Sequence, residues 1–152
     1  MDVSGIYSVL SKTFPLKPTN KQIDWFKAIS GFLDNPTKED LFLLKGYAGT
    51  GKSTLIGHLV QHLQKFNYKS VLIAPTGRAA KVISNYSSRS AFTIHKQIYY
   101  PKTEKGSGVK FILKANKHKN TLFIVDEASM IGDNKQQSKL FENGSLLNDL
   151  IQ

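Results

Sequence analysis

The chain has 152 residues, 40% hydrophobic and 21% charged, a globular composition that excludes a disordered protein. Its 21 Lys and Arg against 11 Asp and Glu leave a net charge of +10, which asks for an anionic partner, nucleic acid first, although such a charge also serves solubility. The lack of Cys excludes disulfide scaffolds, Cys-ligated zinc and thiol catalysis, and no apolar run approaches the roughly 18 residues of a membrane span.

The start, Met1-Asp2-Val3-Ser4-Gly5, has no basic, apolar leader, so a soluble cytoplasmic protein with no membrane partner is expected. Residues 1–18 are weakly patterned and read as a lead-in arm. A helix is predicted from Thr19 or Asn20, with Ile23, Phe26, Ile29 and Leu33 on one stripe, ending at Asp34-Asn35-Pro36. Leu41-Phe42-Leu43-Leu44 reads as a buried parallel strand. A Gly-rich turn leads into a helix over residues 52–66, striped by Leu55, Ile56, Leu59, Leu63 and Phe66. Val71-Leu72-Ile73-Ala74 is a second strand, followed by a helix over 78–85. Leu122-Phe123-Ile124-Val125 is a third, and Ser145 caps a last helix over 146–151. Strands alternating with helices predict an α/β fold with a parallel sheet.

Residues 101–119 break the pattern, with Lys102, Lys105, Lys110, Lys114, Lys117, Lys119 and His118 against the single acid Glu104. Gly106-Ser107-Gly108 marks a turn, so Lys110-Phe111-Ile112-Leu113-Lys114 is expected to pair with Ile98-Tyr99-Tyr100. The whole, about 97–119, reads as an inserted basic hairpin.

The strongest chemical signal is Gly46-Tyr47-Ala48-Gly49-Thr50-Gly51-Lys52-Ser53, the G-x-x-x-x-G-K-[ST] phosphate loop. Glycines let backbone N–H groups turn inward to phosphate, and the next helix aims its positive end there. Lys52 is the candidate for the β- and γ-phosphates and Ser53 for Mg²⁺. Gly49, Thr50, Gly51 and Thr54 complete the candidate ATP site. A dinucleotide loop fails because Thr54 stands where its third glycine is needed. Asp126-Glu127 ends an apolar strand, a costly place for two acids unless they face a cation. Asp126 is the candidate metal ligand and Glu127 the candidate for polarising a water. Gln22 has two readings: a capping box with Thr19, or an amide that hydrogen-bonds adenine. His58 and His62 stand four apart, but Leu59 replaces the Glu of a metalloprotease helix, so both are expected to be solvated. Trp25 and Phe26 are expected in the core.

Residues 46–54, 74–80, Thr93-Ile94-His95 and 125–130 resemble, in order and spacing, helicase motifs I, Ia, Ib and II of the RecD-like and Dda-like superfamily-one DNA helicases. Gln22, 24 positions before Gly46, matches the Q motif. Ser129 in Asp-Glu-Ala-Ser differs from the last Asp of the RNA helicase boxes, which favours DNA. The resemblance implies a RecA-like domain 1A over residues 19–152, with ATP and Mg²⁺ as cofactors. It implies 5′-to-3′ movement on single-stranded DNA, unwinding at single-strand/duplex junctions, and roles in repair and recombination. It also implies that Pro75, Thr76, Gly77 and Arg78, with Thr93 and His95, lie along the strand, and that the basic hairpin acts as wedge or clamp. Set against the resemblance, motif III, motifs IV to VI and the second RecA-like domain are expected to be absent from the chain, which stops at Gln152 just before the strand where the family places motif III. The expectations are therefore an incomplete sheet, a weak or inactive isolated chain, a compact Dda-like layout, a bacterial or phage-like origin and a monomer. Two rivals stay open: a non-catalytic nucleotide- and DNA-binding fragment, and a different P-loop enzyme such as a small-molecule kinase.

Overall fold

The computed structural model describes residues 3–37, 40–104, 108–132 and 145–151. The chain divides into two compact units, Met1–Tyr68 and Lys69–Gln152, taken in turn.

The first unit is helical. α1 spans Val3–Lys12, α2 Asn20–Asp34 and α3 Lys52–His62, the last prolonged by a 3₁₀ turn over Leu63–Phe66. The expected arm at 1–18 is thus corrected. Ile6, Leu10 and Phe14, four apart, are all buried, and Phe14 meets the rings of Phe26 and His58 edge-on. α2 begins and ends where its caps predict. Trp25, Phe26, Ile29 and Leu33 are core residues, whereas Ile23 is half-buried. The expected strand at 41–44 does not form. Leu41 is 81% and Leu43 61% exposed, while Leu44 is half-buried and Phe42 packs against Phe32. An apolar run becomes a buried parallel strand only where a neighbour supplies its ladder and both faces are covered. Among the described residues nothing pairs with this one.

His58 is also corrected, from solvated to 5% exposed. Its Nε2–H donates to the Leu10 carbonyl at 2.9 Å, which ties α1 to α3. His62 lies beside it, ring centres 4.5 Å apart and planes tilted by 50°, with Nδ1–H donating to the His58 carbonyl.

The second unit is a three-stranded parallel sheet in the order β2-β1-β5, where β1 is Lys69–Ala74, β2 Ala91–Thr93 and β5 Thr121–Val125. α4, Gly77–Ser87, carries the chain from β1 to β2. Its Ala79 and Ala80 pack on Ala74 and Ala91. α5, Ile94–Ile98, leads into an antiparallel hairpin of β3, Tyr99–Glu104, and β4, Gly108–Leu113. The register runs from Tyr99 opposite Leu113 to Glu104 opposite Gly108, so the expected hairpin is present but shifted: Ile98 ends α5, Lys114 lies past β4, and the first arm runs on to Glu104. Lys105, Gly106 and Ser107 at its turn lie outside the described residues. α6, Leu146–Ile151, starts at Ser145, whose Oγ accepts the Asn148 N–H at 3.2 Å. The other sheet face is covered by Ile94, Tyr99 and Leu146 packed with Ile73, Val71, Phe123 and Val125. The Tyr99 hydroxyl donates to the buried Asp149 carboxylate of α6.

Leu10→Ala, at a fully buried position, should cost about 2–5 kcal/mol in urea unfolding, while Leu16→Ala, 65% exposed, should stay within about 0.5 kcal/mol of the parent. Burial drives the His58 imidazole below its usual 6.5; the Leu10 carbonyl opposes this, and His62 and Lys65 add to it. The folded state then binds that proton less readily than the unfolded chain. Its stabilisation is complete above about pH 6.5 and is lost as pH falls below that value. Urea midpoints between about pH 7.5 and 5.5 should therefore fall, and fall less in His58→Gln.

Candidate nucleotide and nucleic-acid site

In the first unit the loop between 45 and 52 is shaped by two left-handed glycines, Gly49 at φ 77° and Gly51 at φ 85°. Gly51 is the N-cap of α3, so the loop delivers the free N–H groups of that helix to one point. A Cβ on Gly51 would stand 2.9 Å from Gln22 Nε2, and one on Gly46 2.8 Å from Thr50 Oγ1. The Lys52 ammonium turns back into the loop and donates to the carbonyls of Gly46 at 2.6 Å and Tyr47 at 2.8 Å. Thr50 Oγ1 also donates to Tyr47. Ser53 and Thr54 open the helix and are exposed.

Gln22 bears out its capping reading. Its Oε1 accepts the Thr19 N–H at 2.9 Å and its own N–H donates to Thr19 Oγ1, a complete capping box. Its amide nitrogen meanwhile lies against Gly51. A carbonyl oxygen has two lone pairs, so the cap leaves Oε1 one further acceptor site.

In the second unit, register gathers three motif segments. Ala74 pairs with Thr93 and Ile73 with Val125, so the chain leaves β1, β2 and β5 at one sheet edge, the carboxyl end where α/β proteins bind ligands. Pro75 to Arg78, Thr93 and Asp126-Glu127 all emerge there. Asp126 N–H still donates to the Ile73 carbonyl, so the acid sits on the last rung of the ladder. Its Oδ1 accepts the Glu127 N–H at 3.0 Å and its Oδ2 the Tyr86 hydroxyl at 2.9 Å. Glu127 adopts φ 54°, a left-handed conformation rare for a side chain of this kind, and is exposed.

Thr76 is the N-cap of α4, its Oγ1 accepting the Ala79 N–H, and Gly77 and Arg78 follow it, exposed. Thr93 caps α5 in the same way. His95 packs near Tyr99 and Phe111, ring centres 6.0 and 5.7 Å away, and burial lowers its pKa. The structure thus accounts for His95 as support beneath the hairpin. Two features escaped sequence reasoning. One is Tyr86, 40 residues from its partner, which no local signal reveals. The other is a pair of exposed rings under cations: Lys96 over Phe92 at 5.2 Å and Lys114 over Tyr100 at 5.0 Å.

A parallel sheet flanked by helices, together with a glycine-shaped phosphate loop, defines a P-loop NTPase-type domain. The AAA domain family matches residues 32–149, well over half of the chain, and the chain belongs to that family. It is also similar to the ATP-dependent RecD2 DNA helicase of Deinococcus radiodurans, 34% identical over 101 residues, or 66% of this chain and 13% of that protein. The chain thus spans a small part of that relative. No solved structure gives a significant match. These likenesses bear out the resemblance to RecD-like superfamily-one motor domains and mark a helicase-type ATP-binding domain. Among the described residues no helix is long and apolar enough to cross a membrane.

Gly51→Ala combines a left-handed φ with a close approach to Gln22. Affinity for a fluorescent ATP analogue should fall at least about tenfold, the equivalent of about 1.4 kcal/mol.

Proposed function

We propose that this chain is the ATP-binding part of a DNA helicase that couples hydrolysis of Mg·ATP to 5′-to-3′ movement along single-stranded DNA and to duplex unwinding. The observation that carries the reading is the phosphate loop: left-handed Gly49 and Gly51 running into α3, with the Lys52 ammonium folded among the loop carbonyls. Such a concave, donor-rich turn fits a polyphosphate. Lys52 exchanges its carbonyl partners for β- and γ-phosphate oxygens, and the Ser53 hydroxyl serves as a metal ligand. The Gln22 amide reads adenine while still capping α2. Asp126 supplies the carboxylate for Mg²⁺, an ion that takes one or two carboxylates and completes its shell with phosphate and water. When bound, the ion neutralises charge on the transferring phosphoryl group. Glu127 takes the proton of the attacking water.

DNA as the track is favoured by the +10 charge and by the likeness to a DNA helicase of Deinococcus radiodurans. The exposed turn at Thr76, Gly77 and Arg78 offers free N–H groups and a guanidinium to phosphate. The basic hairpin, with Lys114 set over Tyr100, meets the strand or its junction. The place of work is the cytoplasm, and a second RecA-like domain completes the motor. Domain 1A takes in α1 together with residues 19–152, with the hairpin inserted in it.

The deciding experiment is steady-state ATP hydrolysis by the full coding-region product with and without single-stranded DNA. Strong stimulation is expected. Lys52→Ala should abolish it, and Glu127→Gln should keep nucleotide binding while hydrolysis drops at least about a hundredfold. Bound nucleotide with no stimulation would favour a binding module. Stimulation by a small hydroxylated substrate but not by DNA would favour a kinase-like enzyme.

A further inference from the structure

Asp126 is held from both sides. One oxygen accepts the backbone N–H that follows it, and the other accepts the phenol of Tyr86 in the last turn of α4. Each oxygen has two lone-pair sites, so both donors can stay while the carboxylate takes a further partner. Two donors on different oxygens also fix the carboxylate plane, which a lone acid at a strand tip would leave free to rotate.

Attachment of α4 to the sheet does not need this hydroxyl. Ala79, Ala80 and Ile83 are already buried along the helix, while Tyr86 is half-buried. The other end of the same helix is the exposed turn of Thr76, Gly77 and Arg78. One rigid 11-residue element therefore begins at the candidate strand contact and ends on the candidate metal carboxylate.

We propose that Tyr86 is a positioning residue for Asp126. It holds the carboxylate in the orientation that receives the divalent ion of the nucleotide, and it makes α4 the link by which strand contact at residues 75–78 is felt at the metal. This rests on Asp126 being the metal ligand, as argued above.

The test titrates Mg²⁺ against binding of a fluorescent ATP analogue, with EDTA as the metal-free reference, for the parent, Tyr86→Phe and Asp126→Asn. Tyr86→Phe keeps the ring and should melt close to the parent. Its nucleotide affinity in EDTA should be unchanged, while half-saturating Mg²⁺ rises at least about tenfold, as expected for losing one hydrogen bond to a charged group. Oligo-dT should lower half-saturating Mg²⁺ in the parent and leave it unmoved in Tyr86→Phe. If Tyr86→Phe matches the parent while Asp126→Asn needs more Mg²⁺, the role of Tyr86 is overturned and Asp126 keeps its own. If Asp126→Asn also matches the parent, the metal assignment itself fails, and the proposal with it. A lower melting temperature with unaltered Mg²⁺ dependence would make Tyr86 structural and likewise overturn it.

Discussion

The parallel pairing of β1 with a neighbour on each side is the constraint from which the second unit is built. Parallel strands require crossovers, so the chain must leave β1, travel over one face and return in the same direction as β2, then do so again for β5. That forces every exit to one edge. Pro75 to Arg78, Thr93 and Asp126-Glu127 meet there because of register, although they are spread over some fifty residues of sequence. The continuous apolar character of Val71 to Ala74 and of Leu122 to Val125 has the same origin. One face takes the small residues of α4, and the other takes α5, the hairpin root and α6.

The helical unit obeys a different rule. Its candidate chemistry lies at one helix N-terminus, where unsatisfied N–H groups are unavoidable and favour an anion. The local devices around it are short in range: left-handed glycines, a folded-back lysine, and a glutamine that caps its own helix while touching the loop. α3 is then fixed from behind. His58 spends its N–H on the Leu10 carbonyl of α1, so a residue beside the apolar stripe joins the core without leaving a buried donor unpaired.

The net positive charge is not spread evenly over chemistry. Some lysines do structural work: Lys114 donates to the Lys96 and Gln97 carbonyls at the end of α5, and its chain places the ammonium over Tyr100. This clip holds hairpin to helix and at the same time presents a fixed cation beside an exposed ring. His95 contributes from below as a packing ring. A charge run and a motif histidine thus both help to hold the hairpin on α5.

Sequence by itself determined whatever depends on neighbours within a few residues. The phosphate loop, the caps at Thr19 and Ser145, the apolar strands 71–74 and 122–125 and the hairpin were all legible, because turn chemistry, capping and periodicity act over one or two turns of chain. The Thr93 cap and the short β2 were missed, too brief to show a period. Tertiary structure decided the rest. It buried Ile6, Leu10 and Phe14 in what reads as an arm, and it left Leu41 and Leu43 exposed in what reads as a strand. It placed His58 inside, and it brought Tyr86 to Asp126. Each of these turns on a surface supplied by a distant segment. An apolar or polar side chain records only that it needs a partner, and folding alone decides which one it receives.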